Sequence, residues 1–515
     1  MPDLSHPDLS HPDLLEPGHN CWRIETANRF GVIVDAEQYF LAARNAMLQA
    51  RKSIMMVGWD FDARIRLAPT DSGCAAPDRL GDFVIWLVDR QPQLHVRLLQ
   101  WNSGTFRNLF RGTNAWHLLR WKLHDRITAR MDSTHPPFAS HHQKLLVIDD
   151  SIAFCGGIDM TMKRWDTRAH ADVQPGRVSP YGGQLQPWHD LVSIFDGDAA
   201  RAMGDLCRQR WQHACGEALA PVTAPVTVAP VTGRPTVAQT VPQTVPPVDW
   251  PGTVTPLAAP ARIGIARSLP DMAGQTPVQE IEALYIDMIA SAQTLIFAEC
   301  QYFASRRIAA ALARRLEQAQ GPEVVIIGPA QSEGWLEPIA MDTARARLVA
   351  SLGRHNPHGR LAIYHPVTAT RKPIYVHSKL MIVDDRLLRV GSSNLNNRSM
   401  RLDSECDVVL DAAQDSTGAI ARNLRHLRHD MLAEHLGCTI PEVEAAVARN
   451  GSLVRAIEAL RGAGRSLVPY DSPNLSALET WLADNEILDP DGPDEMFEAL
   501  SKRGLFRGRL RKPRD

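Results

Sequence analysis

The sequence predicts an α/β fold made of two pseudo-symmetric halves, each a sheet flanked by helices. Three observations predict it. Helical patterns alternate with short apolar strands, one block of sequence occurs twice, and a proline-dense segment separates the two occurrences. Residues 1–20 repeat Ser-His-Pro-Asp-Leu without apolar periodicity, so a disordered leader is expected there. The first half is placed at 21–215. Its helical pattern, AEQYFLAARNAMLQARK, runs into the buried strand Ser53–Trp59, and HVRLLQW at 95–101 reads as a second strand. Residues 216–262 are dominated by Pro, Val, Thr and Ala. Proline at that density forbids helix and interior strand, which leaves an extended linker. The second half, 263–435, repeats the order: IEALYIDMIASAQ, then the strand Thr294–Glu299, then EVVIIGP at 323–329. A helical extension, 436–515, ends in the basic run SKRGLFRGRLRKPRD.

Composition removes several classes of function. The chain has 515 residues, 44% of them hydrophobic and 22% charged, with a formal net charge of -2. No apolar run reaches the ~18 residues that span a bilayer, and the start lacks the basic and apolar regions of a Sec signal. A cytoplasmic protein touching membranes only at their surface is the expectation. Near-zero charge removes the general electrostatic argument for nucleic acid, so none is expected as partner. The eight cysteines form no CxxC pair and read as small buried thiols in a reducing compartment. Nothing has metal-ligand spacing, so neither a metal nor another cofactor is expected. Lysine is scarce, 8 of 56 cations, which makes a lysine at a motif position informative.

The duplicated block carries the chemistry. SHHQKLLVIDDSIAFCGGIDM (140–160) matches VHSKLMIVDDRLLRVGSSNLN (376–396), and both contain His-x-Lys-x4-Asp: His142, Lys144, Asp149 and His377, Lys379, Asp384. On a strand, residues i and i+2 share a face, so each histidine projects with its lysine. The aspartate has the opposite parity and lies where the strand ends, which gives it a structural or salt-bridging role. Burying imidazole beside ammonium is costly unless their polarity is used. Two such pairs suit one anionic phosphoryl group held between two halves. The lysines would stabilise charge on its oxygens, one histidine would attack phosphorus, and the other would protonate the leaving alcohol.

These residues resemble the phospholipase D superfamily, whose motif His-x-Lys-x4-Asp is followed by Gly-Ser-x-Asn. The second copy fits it fully, with Gly391, Ser392 and Asn394. The first has Gly156-Gly157-Ile158-Asp159 instead, a form similar to that of the eukaryotic-type phospholipases D. Arg164-Trp165-Asp166, Pro187-Trp188-His189-Asp190 and Glu299-Cys300-Gln301-Tyr302-Phe303 also look like that subgroup, except that Cys300 stands where it usually has asparagine. The resemblance covers about residues 22–435. It implies two α/β/α sandwiches packed face to face with the site between them, and a catalytic set of both His-Lys-Asp motifs. It implies no catalytic metal. Gly156, Gly157, Asp159, Gly391, Ser392 and Asn394 would then bind phosphate or support the motifs. By the same analogy Asp190 and Glu405, which open the strands after each motif, hydrogen-bond the histidine Nδ1 atoms, and His142 is the nucleophile with His377 as acid.

The function so implied is a phospholipase D-type phosphodiesterase that converts phospholipid to phosphatidate and free head-group alcohol through a phosphohistidine. Water or an alcohol is the acceptor, so transphosphatidylation is open to it. A cardiolipin or phosphatidyl transferase synthase is the alternative; a nuclease and a non-catalytic lipid-binding protein stand further back. Trp116, Trp121 and Phe138, just before the first motif, could line a lipid-facing cleft, but at such spacing aromatic residues are more often packing. The basic tail 501–515 is a candidate anchor on anionic lipid.

Overall fold

A computed structural model describes residues 13–69, 75–102, 113–137, 139–179, 181–222, 246–272, 276–333 and 341–471. Its first large sheet has seven strands in the spatial order Phe30–Val34, Leu191–Asp196, Ile152–Gly156, Leu145–Ile148, Ser53–Gly58, His95–Trp101 and Ile127–Asp132. The second contains the same order: Ala261–Leu269, Glu405–Asp411, Leu387–Gly391, Leu380–Val383, Leu295–Glu299, Glu323–Ile327 and Leu361–Val367. In each, the last three strands are parallel and the motif strand runs antiparallel to its neighbours. The duplication seen in sequence is therefore a duplication of topology.

Strand alternation decides what each face does. Ile54, Met56, Leu146 and Ile148 face outward, against Phe40, Phe83 and Leu87 of the helices Ala36–Met47 and Leu80–Arg90. In the second half, Ile296, Ala298, Met381 and Val383 meet Leu284, Met288 and Leu312 of Glu280–Ser291 and Arg306–Leu316. The opposite faces share one core: Met55, Val57, Leu145 and Val147 join Phe297, Leu380, Ile382 and Val408. Helices Gly197–Cys215 and Ala419–Leu436 add Met203, Cys207, Leu424 and Met431 to that core. Each fully buried aliphatic side chain contributes roughly 1.5–3 kcal/mol. A shared core of this size makes the halves one body, so the linker is not what holds them together.

Four boundaries differ from those read in the sequence. Residues 13–20 are not a disordered leader. Leu15 is buried among Ile281 and Leu284, and the Asn20 amide donates to Asp287 at 2.8 Å, because Asp-Leu-Leu-Glu-Pro replaces the repeat with an apolar pair. The strand Arg23–Ala27 does not belong to the first half either; it pairs with Ala261–Leu269 on the edge of the second sheet. Strand Ser466–Pro469 of the C-terminal extension closes the other end of that sheet against Leu361–Val367. The linker's last part is packed as well, since Val248 and Val254 lie in the outer core of the first half. Residues 223–245 and the basic tail 501–515 lie outside the described residues.

Candidate active site

The two motifs meet through an exchange of backbone between halves. His141 forms a parallel bridge with Ser404, and the His142 amide donates to the Ser404 carbonyl at 2.9 Å. Symmetrically, Tyr375–Val376 pairs with Trp188–His189, and the His377 amide donates to the His189 carbonyl at 2.8 Å. Each motif is thus laid beside the acid-bearing strand of the opposite half. His142 Nδ1 lies 3.1 Å from both Glu405 carboxylate oxygens and from the Ser392 carbonyl. His377 Nδ1 lies 2.7 Å from Asp190 Oδ2. With acceptors on the Nδ1 side, the neutral tautomer of each ring carries its proton there and presents Nε2 to the cleft. Neither Nε2 has a hydrogen-bonding partner among the described residues.

The lysines lie inside the same cleft. Lys144 Nζ donates to the His142 carbonyl at 3.0 Å and pairs with Asp159 Oδ2 at 3.3 Å. Lys379 Nζ donates to the His377 carbonyl and to Gln301 Oε1 at 3.1 Å. The divergence of the first motif now has a steric reason. A Cβ at Gly157 would stand 2.2 Å from Asp190 Oδ1, so that acid fits only against glycine. In the second copy Ser392 instead donates its hydroxyl to Glu405, and Ser399 does the same at 2.7 Å. Gly156 and Gly391 are required by close approach to the backbone of Val192 and Asp407. Asp159 Oδ1 accepts the Trp59 amide at 3.1 Å. The side-chain oxygen of its counterpart, Asn394, is buried without a hydrogen bond.

The structure places Asp149 and Asp384 away from this cleft, at the far ends of the motif strands. Asp149 accepts the amides of Arg51, Lys52 and Ser53 at 2.6–2.8 Å, and Asp384 those of Gln293, Thr294 and Leu295 at the same range. Both have positive φ, 52° and 54°. They clamp the turn that feeds the neighbouring strand, so the grouping of these aspartates with the catalytic set is corrected to a structural role. Cys300 is buried in the apolar cluster of the second half.

Burial and unequal surroundings make the site electrostatically asymmetric. Burial first, then the charges of Lys379, Arg164 and Lys144, hold His377 well below the usual imidazole range. Burial likewise lowers Lys379 to about 7, with Lys144 adding to the effect and Asp190 opposing it. Burial raises Asp190 to about 6 against the pull of Lys379. Burial also pushes Glu405 up, but His142 and the hydrogen bonds from it and Ser392 outweigh that and hold it below its ordinary value. A bound phosphodiester anion adds negative charge next to these cations, so it raises both His377 and Lys379. Binding of a dialkyl phosphate at pH 7.5 should therefore take up roughly one to two protons. Calorimetry in two buffers of different ionisation enthalpy measures this, and a binding heat independent of buffer would contradict it.

Some site residues were not singled out from sequence. Arg164 stacks over Trp188 at 4.1 Å, Trp188 lies 5.2 Å from the His377 ring, and Gln301 links Lys379 to the Tyr375 hydroxyl, 3.0 Å away. Their signal was present in Arg-Trp-Asp, Pro-Trp-His-Asp and Glu-Cys-Gln-Tyr-Phe, but not their convergence.

With that geometry in place, comparison with known proteins is decisive. Residues 46–310, more than half of the chain, match the family model described as phospholipase D. The chain belongs to the phospholipase D family. Residues 285–428 match a second model of it, cardiolipin synthase, PLD-like domain. Among its relatives, phospholipase D A of Dictyostelium discoideum is 24% identical over 80% of this chain, and phospholipase D alpha 2 of Oryza sativa subsp. japonica is 26% identical over 76%. The chain spans only 36% and 63% of those proteins. The crystal structure of a phosphatidylserine synthase from Haemophilus influenzae Rd KW20 shares the fold, with a TM-score of 0.50 and 17% identity, over 77% of this chain and 85% of that one.

Proposed function

We propose that this phospholipase D family member is a phosphodiesterase that cleaves phospholipids to phosphatidate and head-group alcohol through a phosphohistidine. The observation that carries the reading is the crossed pairing, in which each motif histidine has its Nδ1 fixed by an acid of the other half. His142 Nε2 attacks phosphorus, a P–N bond forms, and the bond to the head-group oxygen breaks. His377 Nε2–H gives that oxygen its proton, which His377 acquired when the anion bound. Lys144 and Lys379 neutralise the non-bridging oxygens as charge builds in the five-coordinate transition state. His377 then takes a proton from water, whose oxygen attacks phosphorus and displaces His142. An alcohol in place of water gives transphosphatidylation, a reading that the cardiolipin synthase match of the second half favours as a companion activity.

Lipid at a membrane surface is the proposed form of the substrate. On and just beyond the helix Thr113–Lys122, Trp116, Leu119 and Leu123 are exposed on one side, at a spacing that gathers them on one face. Trp121 is instead buried, its indole N–H donating to the Gly81 carbonyl at 3.0 Å, and Phe138 lies outside the described residues. No helix among the described residues is long and apolar enough to cross a membrane, so the proposed contact is peripheral. The test is a panel of phosphatidylcholine vesicles, a soluble short-chain phosphatidylcholine and single-stranded DNA, each with and without ethanol. The expected products are phosphatidate and choline, and phosphatidylethanol when ethanol is present. Replacing Trp116, Leu119 and Leu123 by serine should raise KM about tenfold on vesicles and leave the short-chain substrate unaffected. Cleavage of DNA alone, or no turnover at all, would overturn the reading.

A further inference from the structure

A second polar cluster lies buried beside the active site, and the mechanism does not use it. It is formed by Asp35, at the start of the helix Ala36–Met47, by His170, by His189 on its two-residue strand, and by Glu434 in the last turn of the helix Ala419–Leu436. All four side chains are 0–3% exposed. Glu434 Oε1 is 3.0 Å from His170 Nε2 and 2.9 Å from His189 Nδ1. The Asp35 carboxylate reaches the same two nitrogens at 3.4 Å, Oδ2 to His170 and Oδ1 to His189. One oxygen of that carboxylate, Oδ2, is fully buried and accepts no hydrogen bond.

We infer that Asp35, His170, His189 and Glu434 form a metal centre for a divalent cation of the zinc type, joining the two halves behind the catalytic histidines. Four ligands at about 2.0–2.1 Å from a tetrahedral ion stand about 3.3 Å apart, and the four histidine-to-carboxylate separations straddle that value, with all four ligand atoms within 4.8 Å of one another. Each ligating imidazole presents its other nitrogen to a carboxylate: His170 Nδ1 to Asp166 at 3.0 Å and His189 Nε2 to Glu299 at 2.9 Å. Carboxylates placed there orient metal-binding histidines and fix their tautomer. Every ring nitrogen of the pair therefore faces an acceptor, and without a cation both rings would need two protons each while fully buried. One divalent ion replaces the two inner protons and keeps the charge.

Backbone strain points to the same place. Asp35 has φ 65° and ψ 154°, a conformation almost confined to glycine, and His170 has φ 42°. Such conformations persist where the surroundings over-determine them, typically at binding sites. The strained residue also touches the catalytic machinery. The Asp35 amide donates to the Asp190 carbonyl at 2.8 Å, and the Asp190 amide to Asp35 Oδ1 at 3.2 Å. His189 accepts the His377 amide. The metal would thus fix the position of the Asp190–His377 pair without meeting substrate. A neighbouring triad, His189, Glu299 and His435, is a poorer candidate, because it offers three ligands, and the Glu299 oxygen that faces His189 also accepts the Ser378 hydroxyl, whereas Arg168 holds only the other oxygen of Glu434, Oε2.

The test is elemental analysis of the full chain, produced in zinc-supplemented medium without a polyhistidine tag and dialysed against EDTA while folded. About one zinc per chain is expected, released when the chain is unfolded in the chelator. X-ray absorption should then show two imidazoles and two carboxylate oxygens near 2.0 Å. Glu434→Gln and His170→Gln should lower the zinc content at least fivefold. Should either variant fail to fold, the absorption spectrum of the unaltered protein still decides the ligand set. Less than one-tenth of a metal per folded chain with no rise in Tm on adding zinc, or thiolate sulfur among the ligands, would overturn the assignment, as would equal zinc in wild type and folded variants. None of these readouts depends on which substrate the enzyme turns over.

Discussion

His142→Asn and His377→Asn should each lower kcat on phosphatidylcholine by about 10³–10⁴-fold, a loss of roughly 4–5.5 kcal/mol of transition-state stabilisation. Asparagine keeps a polar group near the acid that each ring now meets, so the cleft should stay folded while the reactive Nε2 disappears. The two variants should fail differently. With a p-nitrophenyl leaving group, which departs without a proton, His377→Asn should still form the covalent intermediate and stall at its hydrolysis. His142→Asn should release no burst of nitrophenol. Rapid-mixing absorbance separates the two, and identical behaviour would contradict the division of roles between the histidines.

Glu405→Gln and Asp190→Asn should each cost about 10²–10³-fold in kcat, because the neutral amide no longer fixes the Nδ1 proton or stabilises an imidazolium. The crossed pairing makes the direction specific. Glu405 opens the strand after the second motif but holds the histidine of the first, 3.1 Å away. Asp190 holds that of the second at 2.7 Å. Glu405→Gln should therefore slow formation of the intermediate even with p-nitrophenol leaving. Asp190→Asn should leave that burst fast and slow the turnover that follows. The opposite assignment of phenotypes would show that each acid serves the motif of its own half.

The duplication, the motif strands and both acids were legible in the sequence because they are local. A block recurring 235 residues apart marks two short apolar strands and their His–Lys pairs without tertiary information, although the structure places each pair just before its strand, Leu145–Ile148 or Leu380–Val383, rather than on it. What was not legible depends on partners far apart in the chain. Strand Arg23–Ala27 reads as the opening of the first half, and only its pairing with Ala261–Leu269 assigns it to the second sheet. The exchange of His141 with Ser404 and of Tyr375–Val376 with Trp188–His189 is likewise invisible in either repeat alone, so the acids could be named but not matched to their histidines. Gly157 reads as a departure from the motif, and its cause is the Asp190 carboxylate packed on it. Asp35, His170, His189 and Glu434 show no ligand spacing at all, since four separate segments deliver them.

The central claim is that His142 carries the phosphoryl group between the two halves of the reaction. Quenching the His377→Asn variant in alkaline denaturant during turnover of a phosphorus-labelled phosphatidyl p-nitrophenol substrate, followed by peptide mapping at high pH, tests it directly. The account predicts acid-labile label on the peptide that contains His142 and none on any other. Label on a different residue, or a variant that turns over substrate with no labelled peptide at all, would contradict it.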